Sequence, residues 1–452
     1  MVILHTKTLK LILLNCREGE QMLTCVGDFA TAIKESARDI NVVIAYKKDD
    51  TYVFLQKDNI QSLTLNSKVN KHLGGVVKRV ADIKAMYNEH TLNLTKGTAI
   101  NLYYRCGVNG VCKKAILYVN QVKSDEKKKI ITIEALDYIS YIQSNVNVGM
   151  VKNTSLVDYE KNIFNALGWK YKISPTVANP TLSLGYPKGT KLIDTLEEMA
   201  IANNAIIDFG FETERGLTLP FNLPASFTVK VNAEGYILPS EDFELHINKF
   251  AFSAPVDTLN KTTDIINFEK DNDNTDQFED VRVNLFFPSS SEQKSLGKIN
   301  VTVPGATQNY YLGTVDFGST MIPQVCCFNG DVEVVSYKLG SSSCSFTVNN
   351  NNVNAQNLEV EFFGYDIAES TLNDTDNDSN IKQISNMYIQ SATAYDTRIF
   401  MNPNCTIKMF GNPLYEIGDT IECGDDTVLL LEENLVFNGG LKATLKGVVL
   451  GG

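Results

Sequence analysis

The side chains in this 452-residue chain that could do chemistry are few and scattered. Only four histidines occur, His5, His72, His90 and His246, and no two have the spacing that lets one helix face ligate zinc. Nine cysteines are present without a CxxC pair. Cys106 and Cys112 stand six apart, and Cys326 and Cys327 are adjacent, so neither pair suits a shared metal. Free, mostly buried thiols in a reducing compartment are expected, in preference to a disulfide framework.

Paired carboxylates are no more suggestive. Glu197 and Glu198 adjoin on an expected helix and point different ways, and Glu432 and Glu433 fall on opposite faces of an expected strand. Neither pair aims an acid and a base at one bond. "DTDNDSNIKQIS" spaces Asp374, Asp376 and Asp378 like the start of an EF-hand loop. Ser379 stands where that loop needs glycine, and Ser385 where it needs a closing glutamate. "DNDNTDQFEDVR" fails at the same two places, so both read as solvated loops. "HLGGVVKR" at 72–79 reads as a turn, and no nucleophile elbow, Walker loop or dinucleotide fingerprint occurs. No catalytic residue, metal or cofactor is expected, and no enzymatic activity.

"GNPLYEIGDTIEC", residues 411–423, packs two glycines, a proline and two acidic residues, Glu416 and Asp419, between runs of strand character. Gly411 and Pro413 can end a strand, and Gly418 with Asp419 can form the corner into "TIEC". Glu416 reads as a turn or interface residue on which nothing converges that could serve as a reaction partner.

The elements that would position these groups are mostly strands. Phenylalanine and tyrosine are plentiful, at 22 and 19, and 12 prolines interrupt them. In the first 135 residues "LKLILLN", "INVVIAY", "TYVFLQ", "HTLNLT", "TAINLYY", "KAILYVNQV" and "KIITIEA" have strand length and composition. "KSDEKKK" at 123–129 is a hairpin tip. A helix is expected from a Thr154 or Ser155 cap, with Leu156, Tyr159, Ile163, Phe164 and Leu167 on one face and Gly168 ending it. A second starts at Thr190 and buries Leu192, Leu196, Met199 and Ala200. A hairpin turning at Arg215-Gly216 follows. "IKQISNMYIQSATAYDTRIF" reads as a long amphipathic helix, and Asn438-Gly439 as a two-residue type I′ hairpin turn.

The net charge of −12 argues against a general nucleic-acid binder, since phosphates are held mainly by Lys and Arg. The "LKLILLNC" run is broken by Lys10 and reads as a buried strand, not a lipoprotein signal. No segment reaches the roughly 18 apolar residues of a membrane span.

Four stretches, in order, resemble the tail hub, or tail-associated minor structural, proteins of tailed bacteriophages and phage-derived contractile particles. Residues 58–104, from "DNIQSLTLNSKVNKHL" to "INLYY", are similar to that family's opening barrel. "AILYVNQVKSDEKKKIITIEALDYISYI" resembles its strand, loop and strand with an A-x-D turn, here Ala135 and Asp137. "KGTKLIDTLEEMAIANNAIIDFGFETERGLTLPF" is similar to the helix and hairpin that follow. "GNPLYEIGDTIECGDDTVLLLEENLVFNGGLKATLKG" resembles its closing turn and hairpin.

The resemblance implies a mainly β fold with an α/β layer, and two tube-like antiparallel β-barrel domains. Residues 1–136 would form the first barrel, 137–221 the α/β layer with two helices and a hairpin, and 222–380 a β-rich domain with polar loops. Residues 381–452 would supply a helix and the strands completing the second barrel. It further implies a homotrimeric virion protein at the distal end of the tail, assembled in the host cytoplasm. Its partners would be the tail tube or distal tail ring protein and tip, spike or fibre proteins, with DNA passing the channel unbound. A receptor- or carbohydrate-binding tail module and a hexameric distal tail ring are the alternatives.

Overall fold

The structure, a computed structural model, describes residues 25–211, 243–387 and 403–451, apart from short stretches within those ranges. It is mainly β, and its largest sheet draws on both ends of the chain. Neighbours in that sheet run in the order Ile265–Asp271, Asn404–Phe410, Leu441–Gly451, Asp426–Phe437, Ile60–Lys68, Lys78–Met86, Ile130–Leu136, Gly110–Asp125, Ala99–Cys106, Ile40–Lys48 and Thr51–Leu55. Every pairing along this path is antiparallel. Among the described residues the path does not close on itself.

Alternation explains why these segments are strands. In Ile130–Leu136, Ile131, Ile133 and Ala135 are buried while Thr132 and Glu134 lie half-buried on the other face. The two ends of the chain meet where Asp426–Phe437 pairs with Ile60–Lys68. Leu435 stands opposite Leu65 and Phe437 opposite Leu63, all fully buried. One core results, in which Leu63, Ile83, Leu117 and Ile133 pack with Ile407, Leu429, Leu435 and Leu445. Each such side chain contributes on the order of 1.5–3 kcal/mol, so the two ends stabilise each other.

The α/β layer follows the expected capping. The helix Leu156–Leu167 opens on Ser155, whose hydroxyl accepts from the Asp158 N–H at 3.2 Å. It ends at Gly168 with φ +69°. The helix Leu192–Ala202 buries Leu192, Leu196, Met199 and Ala200. Ala205–Phe211 pairs with Phe243–Lys249, and the expected turn at Arg215-Gly216 lies outside the described residues, as does the Thr190 cap. Trp169 meets Phe209 edge-on at 5.4 Å and Tyr138 at 5.7 Å, which ties the layer to the end of the large sheet.

Between Ile265–Asp271 and Asn404–Phe410, which pair with each other, an extra β unit is inserted. Its long strand Gln356–Leu372 pairs with Lys294–Val303, Met321–Asn329 and Asp280–Pro288. Thr307–Asp316, Ser343–Asn350 and Glu333–Leu339 make a three-stranded sheet, and Val303, Phe346, Val348, Val360 and Phe362 form the local core.

Three expectations are corrected. Residues 90–95 do not form a strand. Thr91–Asn93 is a 3-10 turn, because the Asn88 side chain accepts from the N–H groups of His90 and Thr91 and curls the chain. The expected helix from residue 381 begins instead as the strand Ile381–Met387, where parallel pairing with Asp280–Pro288 outweighs a weak helical spacing. Residues 388–400 of that segment lie outside the described residues, as do "LKLILLN" and Asp374, Asp376 and Asp378. The last hairpin turns through three residues, Asn438 to Gly440, with Phe437 opposite Leu441. Only Gly439 needs positive φ, at +72°, so the two-residue type I′ turn does not form.

Candidate functional site

Among the described residues a buried group of charged side chains lies inside the protein, at the joint between its first and last parts. Gly411–Asp419 turns the corner read from the sequence, but it does so buried. Leu414, Tyr415 and Ile417 enter the core, and Asn412, Glu416 and Asp419 are each at most 6% exposed. A buried loop must satisfy its own backbone. Here the Leu414 N–H reaches Asn412 Oδ1 at 3.1 Å, and the Glu416 N–H reaches Asp419 Oδ2 at 2.8 Å. The Gly418 N–H donates to the Leu430 carbonyl at 2.8 Å. Gly418 has φ +96°, and a Cβ there would sit 2.4 Å from Ile206 Cδ1 of the α/β layer. Both the turn and the close approach require glycine.

Two cations enter this corner from the opening sheet. Arg79 is the second residue of Lys78–Met86, and its guanidinium binds both Asp208 oxygens, one at 2.7 Å, and Glu416 Oε2 at 2.8 Å. Lys114 lies at a bulge of Gly110–Asp125, where the register with Ala99–Cys106 shifts. Its ammonium binds Glu416 Oε1 at 3.2 Å and Glu433 Oε2 at 2.9 Å, and donates to the Tyr415 carbonyl. Asp137, the acidic residue of the A-x-D turn, completes the cluster through the backbone. It caps the turn Tyr138–Tyr141 by accepting from the Ser140 N–H at 2.7 Å, and it also accepts from the Arg79 N–H. Lys78 pairs with Glu197 and extends the link to the helix Leu192–Ala202.

Two cations thus face five carboxyl groups away from water, and burial shifts the titration of several of them. Burial pushes Asp137, Glu416 and Glu433 above the usual carboxylate range, and Asp419 well above it. Burial alone would lower Lys114, but Glu433 and Glu416 more than reverse this. Asp208 and Glu416 do the same for Arg79. Next to the cluster in sequence, Lys113 is buried away from water and is lowered to about 7.

The arrangement clamps. Its carboxyl groups are held by Arg79, Lys114 or backbone N–H groups. Glu416 is the turn residue read from the sequence, its carbonyl accepting from the Asp419 N–H at 3.1 Å, and in addition Arg79 and Lys114 converge on its carboxylate. No local signal could have revealed this, since the partners are 337 and 302 positions away. Glu432 and Glu433 do lie on opposite faces, with Glu432 reaching Lys446 at 3.0 Å near the surface. Among the described residues no group of three or more His, Cys, Asp or Glu is placed to hold a metal ion. His5 and His72 lie outside the described residues; His90 precedes the 3-10 turn Thr91–Asn93, and His246 lies in the strand Phe243–Lys249. Among the described residues seven cysteines lie outside any disulfide, and five of them are buried. No described helix is long and apolar enough to cross a membrane.

No protein-family model matches the chain, and no curated protein matches it significantly. Similar solved structures exist. The 43 kDa tail protein of prophage MuSo2 from Shewanella oneidensis is 10% identical, with a TM-score of 0.46, over 91% of this chain and 98% of that one. The tail protein from Neisseria meningitidis MC58 is also 10% identical, with a TM-score of 0.46, over 90% and 96%. Prophage tail protein gp18 from Listeria monocytogenes EGD-e is 10% identical, with a TM-score of 0.43, over 90% and 94%. All three are tail proteins.

Proposed function

We propose that this chain is a structural hub at the distal end of a phage or phage-like tail, joining the tail tube to a tip or spike and lining the channel. The observation that carries the reading is spatial. The stretches that resemble hub proteins, far apart in sequence, form one unit: Asp137 of the A-x-D turn, Asp208 of the middle layer, and Glu416 and Asp419 of the closing turn surround Arg79 and Lys114. A clamp of this kind suits a load-bearing ring better than a catalyst, and the hub acts without enzymatic activity.

In this reading the opening and closing strands form two barrel-like halves of each subunit, and three subunits make a pseudo-sixfold ring. The ring contacts the tail tube or distal ring protein on one side and tip, spike or fibre proteins on the other. Its net charge of −12 suits a wall past which DNA slides without sticking. Assembly takes place in the host cytoplasm, and the finished protein resides in the virion tail.

Light scattering of the purified protein, followed by particle images, tests this. A mass near three times 50.1 kDa with ring-shaped views supports the hub. A hexamer indicates a distal tail ring instead.

One observation favours a second reading, a receptor-binding module. Asn350, 1% exposed, donates to the carbonyls of Val303, Pro304 and Asn354 and accepts from the Asn352 N–H. That bracing displays Val353, 89% exposed, on a fixed loop. Binding of the isolated protein to host cells, abolished by Val353→Asp, would favour this reading.

A further inference from the structure

Two of the free thiols face each other across a strand pair. The short strand Cys25–Val26 pairs antiparallel with Gly110–Asp125, and Cys25 stands directly opposite Cys112. Opposed residues in such a pair have Cα atoms about 4.5–5.5 Å apart. A disulfide takes Cα separations of about 4.4–6.8 Å, so bridging the pair needs little backbone movement. Cys112 is fully buried and Cys25 only partly, which gives the pair one accessible and one protected member. No other described cysteine pair shares a register position: Cys106 stands opposite Ile40 and Gly110, Cys327 opposite Glu361, and Cys405 opposite Lys270 and Gly447.

We propose that Cys25 and Cys112 form an oxidation site, a dithiol that becomes a cross-strand disulfide when the protein meets a disulfide oxidant such as oxidised glutathione. The Cys25 thiolate attacks one sulfur of oxidised glutathione, whose S–S bond breaks, and a glutathione thiolate leaves. Cys112 then gives its proton to solvent and attacks the Cys25 sulfur, and the second glutathione thiolate leaves. Two protein thiols lose two hydrogens, and one glutathione disulfide becomes two thiols.

Burial raises both protein thiols above their ordinary value, and for Cys112 the neighbouring Cys25 adds to it. Because the thiolate is the reacting form, closure is slow at neutral pH and accelerates as pH rises. The bridge fastens the Cys25–Val26 strand to the strand that carries Lys114, two residues beyond Cys112. In a reducing cytoplasm the pair stays open, and outside the cell it closes. That use, a lock set after release, rests on the proposed particle role, whereas the crosslink itself does not. A failed crosslink and a failed trimer are therefore separate results.

The test is to incubate the full-length protein with oxidised glutathione at pH 8 and map its peptides by mass spectrometry without reduction. The expected product has lost two hydrogens, links the peptides of Cys25 and Cys112, and melts several degrees higher until dithiothreitol is added. Exposed Cys327 serves as the internal control and carries glutathione without a crosslink. Cys25→Ser, a change at the more accessible partner, abolishes the link. A glutathione adduct that persists on Cys25, or a link that forms only in denaturant, would overturn the proposal.

Discussion

Arg79 and Glu416 are separated by 337 positions in the chain and by 2.8 Å in space. The same glutamate binds Lys114 through its other oxygen, so one carboxylate of the closing turn holds two strands of the opening sheet. Such a pair is costly to break, because the partner left behind loses part of its compensating charge and has no water to replace it, even though Arg79 keeps Asp208 and Glu416 keeps Lys114.

Removing one member should therefore unfold the protein far more readily than removing both. Lys114→Met is expected to lower stability by about 3–5 kcal/mol. Adding Glu433→Leu to it should restore part of the loss, because the orphaned carboxylate is gone. Urea denaturation of the two single variants and the double variant gives the coupling. Additive losses would show that Lys114 and Glu433 act independently.

Asp419 gives a pH signature. Its carboxyl is raised by burial, so its folded value exceeds its unfolded one. Such a group stabilises fully below the unfolded value near 4, and the contribution is lost as pH rises through the folded value. Asp419→Asn keeps an oxygen for the Glu416 N–H and removes the titration. It should weaken the decline in stability toward alkaline pH and cost less than about 1 kcal/mol at pH 7, whereas Asp419→Ala should cost about 1–3 kcal/mol. Thermal melts between pH 5 and 9 would separate these outcomes.

Lys113 has the opposite sign. Burial lowers it to about 7, below its unfolded value of 10.5. Its contribution is present above 10.5 and is lost as pH falls through 7. Lys113→Met should raise stability at pH 6 by about 1–3 kcal/mol and much less at pH 10. An equal effect at both values would mean that the lysine keeps its ordinary titration.

The Gly418 corner is a steric prediction. Gly418→Ala places a methyl 2.4 Å from Ile206 Cδ1 at φ +96° and should cost about 1–3 kcal/mol. Ile206→Val removes the crowded methyl and should recover the contact part but not the backbone part. Full recovery in the double variant would show that φ carries no strain.

Much of this fold is legible along the chain, for a local reason. Ser155, Gly168 and the apolar spacing between them fix a helix within its own residues, and alternation fixes Ile130–Leu136 as a strand. Turn chemistry marks Gly411–Asp419 as a corner. Strands with weak patterns are harder to see. Ile60–Lys68 carries Gln61, Ser62, Thr64 and Asn66 among its apolar residues, and it is a strand because Leu63 and Leu65 meet Phe437 and Leu435. Ile381–Met387 likewise takes its conformation from a partner.

The clamp belongs wholly to the tertiary structure. Sequence determines that Asp137, Glu416 and Asp419 sit at turns, where short-range sterics and hydrogen bonding act. Whether those carboxyls face water or Arg79 and Lys114 depends on pairing strands from opposite ends of the chain. That pairing is decided by burial of a shared core, a property of no single segment.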